Sequence, residues 1–136
     1  MKIYFAGSIR GGRGDKDLYA ALIEGIKKHG EVLTEHIGNS ELSEKGEGLE
    51  AEFIFTRDMD WVKEADIIIA EVSTPSLGVG YEIGQAEAMG KPILCLYRKT
   101  DSNLSAMISG NRVLTVKEYD NLETALGLVN EFIQNL

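Results

Sequence analysis

Three stretches of this chain carry side chains able to do chemistry. The first is the loop Gly7-Ser8-Ile9-Arg10-Gly11-Gly12-Arg13-Gly14. Its glycines let backbone amides approach a ligand, and amides at a following helix N-terminus favour an anion. Arg10, Arg13 and the Ser8 hydroxyl add donors. It lacks the Gly-Lys-Ser/Thr ending of a P-loop and the G-x-G-x-x-G of a dinucleotide site. A phosphate cradle and a plain strand-to-helix turn with solvated arginines both fit it. The second stretch is PSLGVGYEIG, residues 75–84, where Glu82 follows a glycine-bearing loop at the expected start of a helix. A carboxylate there is stabilised as the anion by the helix dipole, and it can equally decorate the first turn. The third is RDMDW, residues 57–61. Acids two positions apart on a helix point in different directions, so Asp58 and Asp60 are not expected to act as a close pair. Asp58 is placed toward the pocket and Asp60 toward water.

The other chemically able side chains say less. His36 is expected to end the second strand, on the ligand side, where a lone histidine is ordinarily a structural hydrogen-bonding group. His29 suits a helix C-terminus as a favourable charge. Cys95, inside a buried strand, behaves as a small hydrophobe. No Cys/His cluster has metal-ligand spacing, so neither metal nor cofactor is expected.

The elements that must position these groups follow from the patterning. Strands are expected at 2–6, 31–36, 66–72, 92–97 and 113–117. Helices are expected from Asp15, as N-cap, to about Lys28, over 50–64, from Tyr81 to Met89, and over 122–134. Gly30 and Gly90 are stops, and residues 38–50 are a loop. The run Ile67-Ile68-Ile69-Ala70 marks a central strand buried on both faces. Strands alternating with helices predict an α/β fold, doubly wound, with a mainly parallel five-stranded sheet. Ligands of such sheets sit beyond the carboxyl ends of the strands, at the switch point. That places loops 7–14, 36–48, 73–80 and 98–105 around the site.

Composition limits the function. A chain of 136 residues suits one domain, 1–136, and 43% hydrophobic with 26% charged residues is ordinary for a globular fold. A net charge of −8 disfavours nucleic-acid polymers but not a small anion held by local donors. No apolar run approaches a membrane span, and the N-terminus has no signal-peptide layout. A single cysteine makes a reducing cytoplasm the expected compartment.

The run Tyr4-Phe5-Ala6-Gly7-Ser8-Ile9-Arg10-Gly11-Gly12-Arg13 resembles the opening of the 2′-deoxynucleoside 5′-monophosphate N-hydrolases. So do Val32-Leu33-Thr34-Glu35-His36, Asp58 and Trp61, AEVSTPSLGVGYEIG (70–84), ILCLYR (93–98) and LSAMI (104–108). The matches fall in one order from about 4 to 110, with 38–50 outside them. The wider family is that of the nucleoside 2-deoxyribosyltransferases. The resemblance implies a flavodoxin-like fold and cleavage of the N-glycosidic bond of a 2′-deoxynucleoside 5′-monophosphate. It implies Glu82 as the nucleophile, Asp58 as the group assisting the leaving base, and Tyr4 beside the sugar and nucleophile. The implied substrate-binding set is Gly7, Ser8, Ile9, Arg10, Gly11, His36, Ser76, Gly78, Ser105 and Met107. Ser105 is implied to reach the neighbouring subunit's site, which makes a homodimer the expected assembly. Base exchange, cleavage of ribonucleoside monophosphates and non-catalytic nucleotide binding are the competing functions.

Overall fold

A computed structural model describes residues 1–9, 15–38, 49–99 and 103–136. The elements run β1 (Lys2–Ala6), α1 (Lys16–Ile26), β2 (Glu31–Val32), a 3-10 turn (Glu35–Gly38), α2 (Ala51–Glu64), β3 (Ile67–Glu71), α3 (Leu77–Ala88), β4 (Ile93–Tyr97), α4 (Ala106–Ser109), β5 (Thr115–Glu118) and α5 (Leu122–Gln134). The five strands form one sheet in the order β2-β1-β3-β4-β5, and every pairing is parallel. This is the doubly wound, flavodoxin-like order, with its switch point between β1 and β3.

Strand alternation sorts the core into two layers. Ile3 and Phe5 of β1 pack with Tyr19, Leu22, Ile23 and Ile26 of α1 and with Ala125 and Val129 of α5. Tyr4 and Ala6 point to the other face, where Met59 and Val62 of α2 and Val79, Ile83 and Ala86 of α3 cover the sheet. All five residues of β3 are buried, as a strand sandwiched between helix layers must be. Cys95 is buried in β4, as expected, and burial pushes its thiol up to about 12.

The second strand is shorter than its expected span of 31–36. Leu33 still donates to the Ile3 carbonyl, but Thr34 meets β1 through its side chain. Its hydroxyl accepts from the Phe5 N–H at 2.9 Å and donates to the Phe5 carbonyl at 2.6 Å. The side chain thus takes the bonds a continuing ladder would have used, and the chain turns into the 3-10 segment. His36 therefore sits on a turn rather than at a strand end.

Gly30 closes the α1–β2 connection for a steric reason. A Cβ on it would lie 2.1 Å from the Met1 carbonyl oxygen, the group that accepts from Glu31 N–H. Gly30→Ala is expected to push apart the β1–β2 edge and cost about 1–3 kcal/mol, read as a fall in Tm of several degrees.

Candidate active site

Tyr4, Asp58 and Glu82 come from β1, α2 and α3 and meet between the sheet and those two helices. Tyr4 is fully buried. Its hydroxyl and Oε2 of Glu82 are both sealed from solvent, and neither makes a well-formed hydrogen bond among the described residues. The two groups nevertheless act strongly on each other. Burial, then the Glu82 charge, then the Asp58 charge hold the Tyr4 hydroxyl far above its ordinary range, so it stays a phenol. Burial and the Asp58 charge push the Glu82 carboxyl from its ordinary 4.5 up to about 8, against a pull from the Tyr4 hydroxyl. At neutral pH a proton is therefore retained on the carboxyl pair.

The expectation for Glu82 needs one correction. Helix α3 begins at Leu77, not Tyr81, because the Ser76 hydroxyl caps it by accepting from Val79 N–H at 3.3 Å. Glu82 consequently lies in the second turn, beyond the reach of the helix N-terminal dipole. Desolvation governs it instead, and it favours the proton. Gly78 is inside α3, where a Cβ would make only an ordinary contact with Ser76 Oγ at 3.8 Å, so its surroundings there demand no glycine.

Asp58 is held by a neighbour that the sequence reading passed over. Arg57 grips Asp58 Oδ1 through Nη2 at 2.8 Å and Nε at 2.9 Å. The same guanidinium lies 4.7 Å from the Trp61 ring centroid and 5.9 Å from that of Phe53. Its Nη2 is 3.5 Å from His36 Nε2, and the His36 and Trp61 rings are 5.6 Å apart. The result is an aromatic and cationic wall beside the carboxyl pair. The signal was present in the sequence: Phe53, Arg57 and Trp61 recur every fourth residue on one helix face. Asp60 projects into solvent toward Lys63, as expected.

The anion-ready loop is seen at its entry. Gly7 packs tightly, since a Cβ there would sit 3.0 Å from the Tyr19 ring and 3.2 Å from Phe5. The Ser8 N–H donates to the Tyr19 hydroxyl at 3.2 Å, and the buried Ser8 Oγ has no partner among the described residues. Ile9 follows, half-buried; Arg10, Gly11 and Arg13 lie outside the described residues.

The remaining expected residues lie apart from the carboxyl pair. Ser76, Ser105 and Met107 line a groove of about 870 Å³ between α3 and α4, together with Leu77, Tyr81 and Ile108. Tyr4, Asp58 and Glu82 are not among its lining residues. Leu77 is 96% and Met107 80% exposed on its rim. Among the described residues no group of His, Cys, Asp and Glu is arranged to hold a metal, and no helix is long and apolar enough to cross a membrane.

The family model of the nucleoside 2-deoxyribosyltransferases matches residues 3–128. This chain belongs to that family. Among curated relatives it is 47% identical to a 5-hydroxymethyl-dUMP N-hydrolase of Esox lucius, over 100% of this chain and 98% of that protein. It is 51% identical to the Mus musculus protein of the same name, over 79% of this chain and 64% of the mouse protein. The fold also superposes on that of a CMP N-glycosidase, BcmB, of Clostridium botulinum, with a TM-score of 0.62 at 22% identity over 96% of this chain and 99% of that one.

Proposed function

We propose that the chain hydrolyses the N-glycosidic bond of 2′-deoxynucleoside 5′-monophosphates, releasing the free base and 2-deoxyribose 5-phosphate. The observation that carries this reading is the convergence of Tyr4, Asp58 and Glu82 from three separate elements, where burial and the Asp58 charge push the Glu82 carboxyl up to about 8. In this reading Glu82, as the carboxylate, attacks C1′ while the bond to the base breaks and its electron pair leaves with the base. The retained proton passes through Asp58 to the departing base. Water then attacks C1′ of the glycosyl-enzyme as Asp58 takes its proton, and the Glu82–C1′ bond breaks with its electron pair returning to Glu82, which restores the carboxyl pair with its one proton. The Tyr4 hydroxyl pulls the Glu82 carboxyl toward its ionised form. The wall of Trp61, Phe53, Arg57 and His36 offers stacking and hydrogen bonding to a base. Gly7, Ser8, Ile9, Arg10 and Gly11, with Ser76, would hold the 5′-phosphate, whose binding energy orients the reacting centre. No metal or cofactor has a step in this chemistry, and residues 1–136 serve as one catalytic domain in a reducing cytoplasm.

The substrate test is a product assay on ribo- and deoxyribonucleoside monophosphates, with 5-hydroxymethyl-dUMP first because both relatives are named for it. Free base and deoxyribose 5-phosphate are expected from deoxynucleotides. Base exchange with an added free base and no net hydrolysis would make the protein a transferase. Faster turnover of ribonucleotides would reverse the sugar preference, and binding without turnover would leave a sensor.

Because activity requires one retained proton, kcat/KM is expected to fall above about pH 8, where Glu82 and Asp58 are both ionised. Tyr4→Phe removes a hydroxyl whose pull favours ionised Glu82. It should lower kcat about tenfold and move this alkaline limb to higher pH. A limb that stays put in Tyr4→Phe would separate Tyr4 from Glu82.

The open groove under Leu77 and Met107 supports a homodimer in which Ser105 serves the neighbouring site. Met107→Arg is expected to yield a monomer in sedimentation, with turnover reduced about tenfold or more. A fully active monomer would remove Ser105 from the site.

A further inference from the structure

Adjacent residues on a helix point in different directions, so Arg57 and Asp58 are not brought together by helix geometry alone. They meet because the Arg57 guanidinium is seated against two rings of its own helix. It lies 4.7 Å from the Trp61 ring centroid, one turn on, and 5.9 Å from that of Phe53, one turn back. From this seat Nη2 and Nε both donate to Oδ1 of Asp58, at 2.8 Å and 2.9 Å. Nη2 also stands 3.5 Å from Nε2 of His36, on the 3-10 turn. An arginine on a helix ordinarily carries its charge out to water. Here the Arg57 and Asp58 side chains are only 19% and 18% exposed, so solvent screens their attraction weakly.

What this contact does depends on the groups that face Asp58 from the other elements. Glu82 lies opposite on α3 and Tyr4 on β1, and the Asp58 charge acts on both. The field of the guanidinium reaches this cluster too, since at the Tyr4 hydroxyl it opposes the two carboxylates. Asp60 and Lys63 of the same helix are turned to water. The two carboxyls therefore have unlike surroundings. Glu82 is desolvated and has the Tyr4 hydroxyl beside it. Asp58 has a cation in hydrogen-bonding contact, which favours its ionised form.

We propose that Arg57 is a positioning residue that acts through Asp58: seated on Trp61, it fixes the Asp58 carboxylate and keeps it ionised, so that the resting proton of the pair sits on Glu82. The bearing on catalysis rests on the hydrolytic reading given above, in which this is the proton later passed through Asp58 to the base. The resting protonation itself can be read in the free protein. Without the guanidinium, ionising both carboxyls costs more, so the last proton of the pair leaves at higher pH.

Carbon-13 NMR of protein labelled at the glutamate side-chain carboxyls measures this, with Glu82 assigned by the signal lost in Glu82→Gln. The wild-type signal should titrate near pH 8. In Arg57→Met it should titrate about one pH unit higher, a proton held about tenfold more tightly. Arg57→Gln, polar and uncharged, serves if the methionine variant folds poorly. Arg57→Lys keeps a cation and should titrate nearer the wild type. The shift should persist in a His36→Gln background. A Glu82 signal that titrates alike in wild type and Arg57→Met overturns the proposal, as does a wild-type Glu82 already ionised at pH 7. So does a lysine variant no nearer the wild type, or a shift that vanishes with His36. In turnover, the alkaline limb of kcat/KM should move up in Arg57→Met by the amount the NMR shows. A rate lowered equally at every pH would make Arg57 a strut and overturn its electrostatic part. The NMR shift upholds the proposal even where no nucleotide is cleaved, so its fate is separate from that of the hydrolytic reading.

Discussion

Glu82→Gln is expected to reduce kcat by about a thousandfold or more while making the folded protein more stable at alkaline pH. The two effects have one origin. Burial and the Asp58 charge raise the Glu82 carboxyl to about 8, so the folded state binds this proton more tightly than the unfolded chain, where the group titrates at 4.5. Such a group contributes stability that is fully present below the unfolded value and lost as pH rises through the folded one. Above about pH 8 the wild type must keep a desolvated carboxylate next to Asp58. Glutamine has nearly the same shape and no charge to desolvate. Its Tm should match the wild type near pH 5 and exceed it by several degrees at pH 9. Thermal melts across that range, set beside turnover of the same protein, check both halves. Glu82→Gln that retains turnover, or whose Tm tracks the wild type at every pH, would show that Glu82 neither reacts nor stores strain. Exchange of stability for reactivity is what a buried reactive carboxylate entails.

Asp58→Asn is the second large effect. The substitution keeps the size of the side chain but removes both the group that passes the proton and the charge that raises Glu82. Turnover should fall about a hundredfold or more, the worth of general acid assistance. The residual activity should no longer decline above pH 8, because Glu82 then ionises more readily and no shared proton remains to be lost. The loss should also depend on the substrate. A base that departs easily needs little protonation, so its nucleotide should be cleaved by Asp58→Asn with a smaller penalty than a poor leaving group. Kinetics on two bases of different basicity measure this directly. An equal penalty for both would reduce Asp58 to a sugar contact, positioned by Arg57 and without a part in proton transfer. Arg57 itself holds Asp58 by two donors on one oxygen.

How far these groups could be read from the sequence depends on how local their causes are. β3 was legible because five consecutive buried residues admit few other readings. The parallel sheet followed from alternation of strands and helices, and the carboxyls followed from the resemblance of their motifs. The end of β2 was not legible, because a single hydroxyl, that of Thr34, competes with the main chain for Phe5 across 29 positions. The start of α3 was obscured by Gly78 and Gly80, which suggest a loop; the Ser76 cap outweighs them. That shift of about one turn changed the electrostatics of Glu82 from dipole-stabilised to desolvated. Asp15 looked like an ordinary N-cap, and its actual partner Arg98 lies 83 positions away. Arg57 carries no catalytic signature of its own, and only its spacing from Phe53 and Trp61 marks it as part of one helix face. At β2 and at Asp15 a long-range polar bond decided the outcome, whereas at α3 a local side-chain cap did.

The most direct test of double displacement at Glu82 is the stereochemistry of transfer to methanol. Turnover of 5-hydroxymethyl-dUMP in dilute methanol, followed by proton NMR, identifies the anomer of the methyl 2-deoxyriboside 5-phosphate formed alongside the hydrolysis product. Attack by Glu82 followed by attack of the alcohol inverts C1′ twice, so the β-anomer of the substrate should give the β-methyl glycoside. The α-methyl glycoside would mean a single displacement and would contradict a covalent role for Glu82.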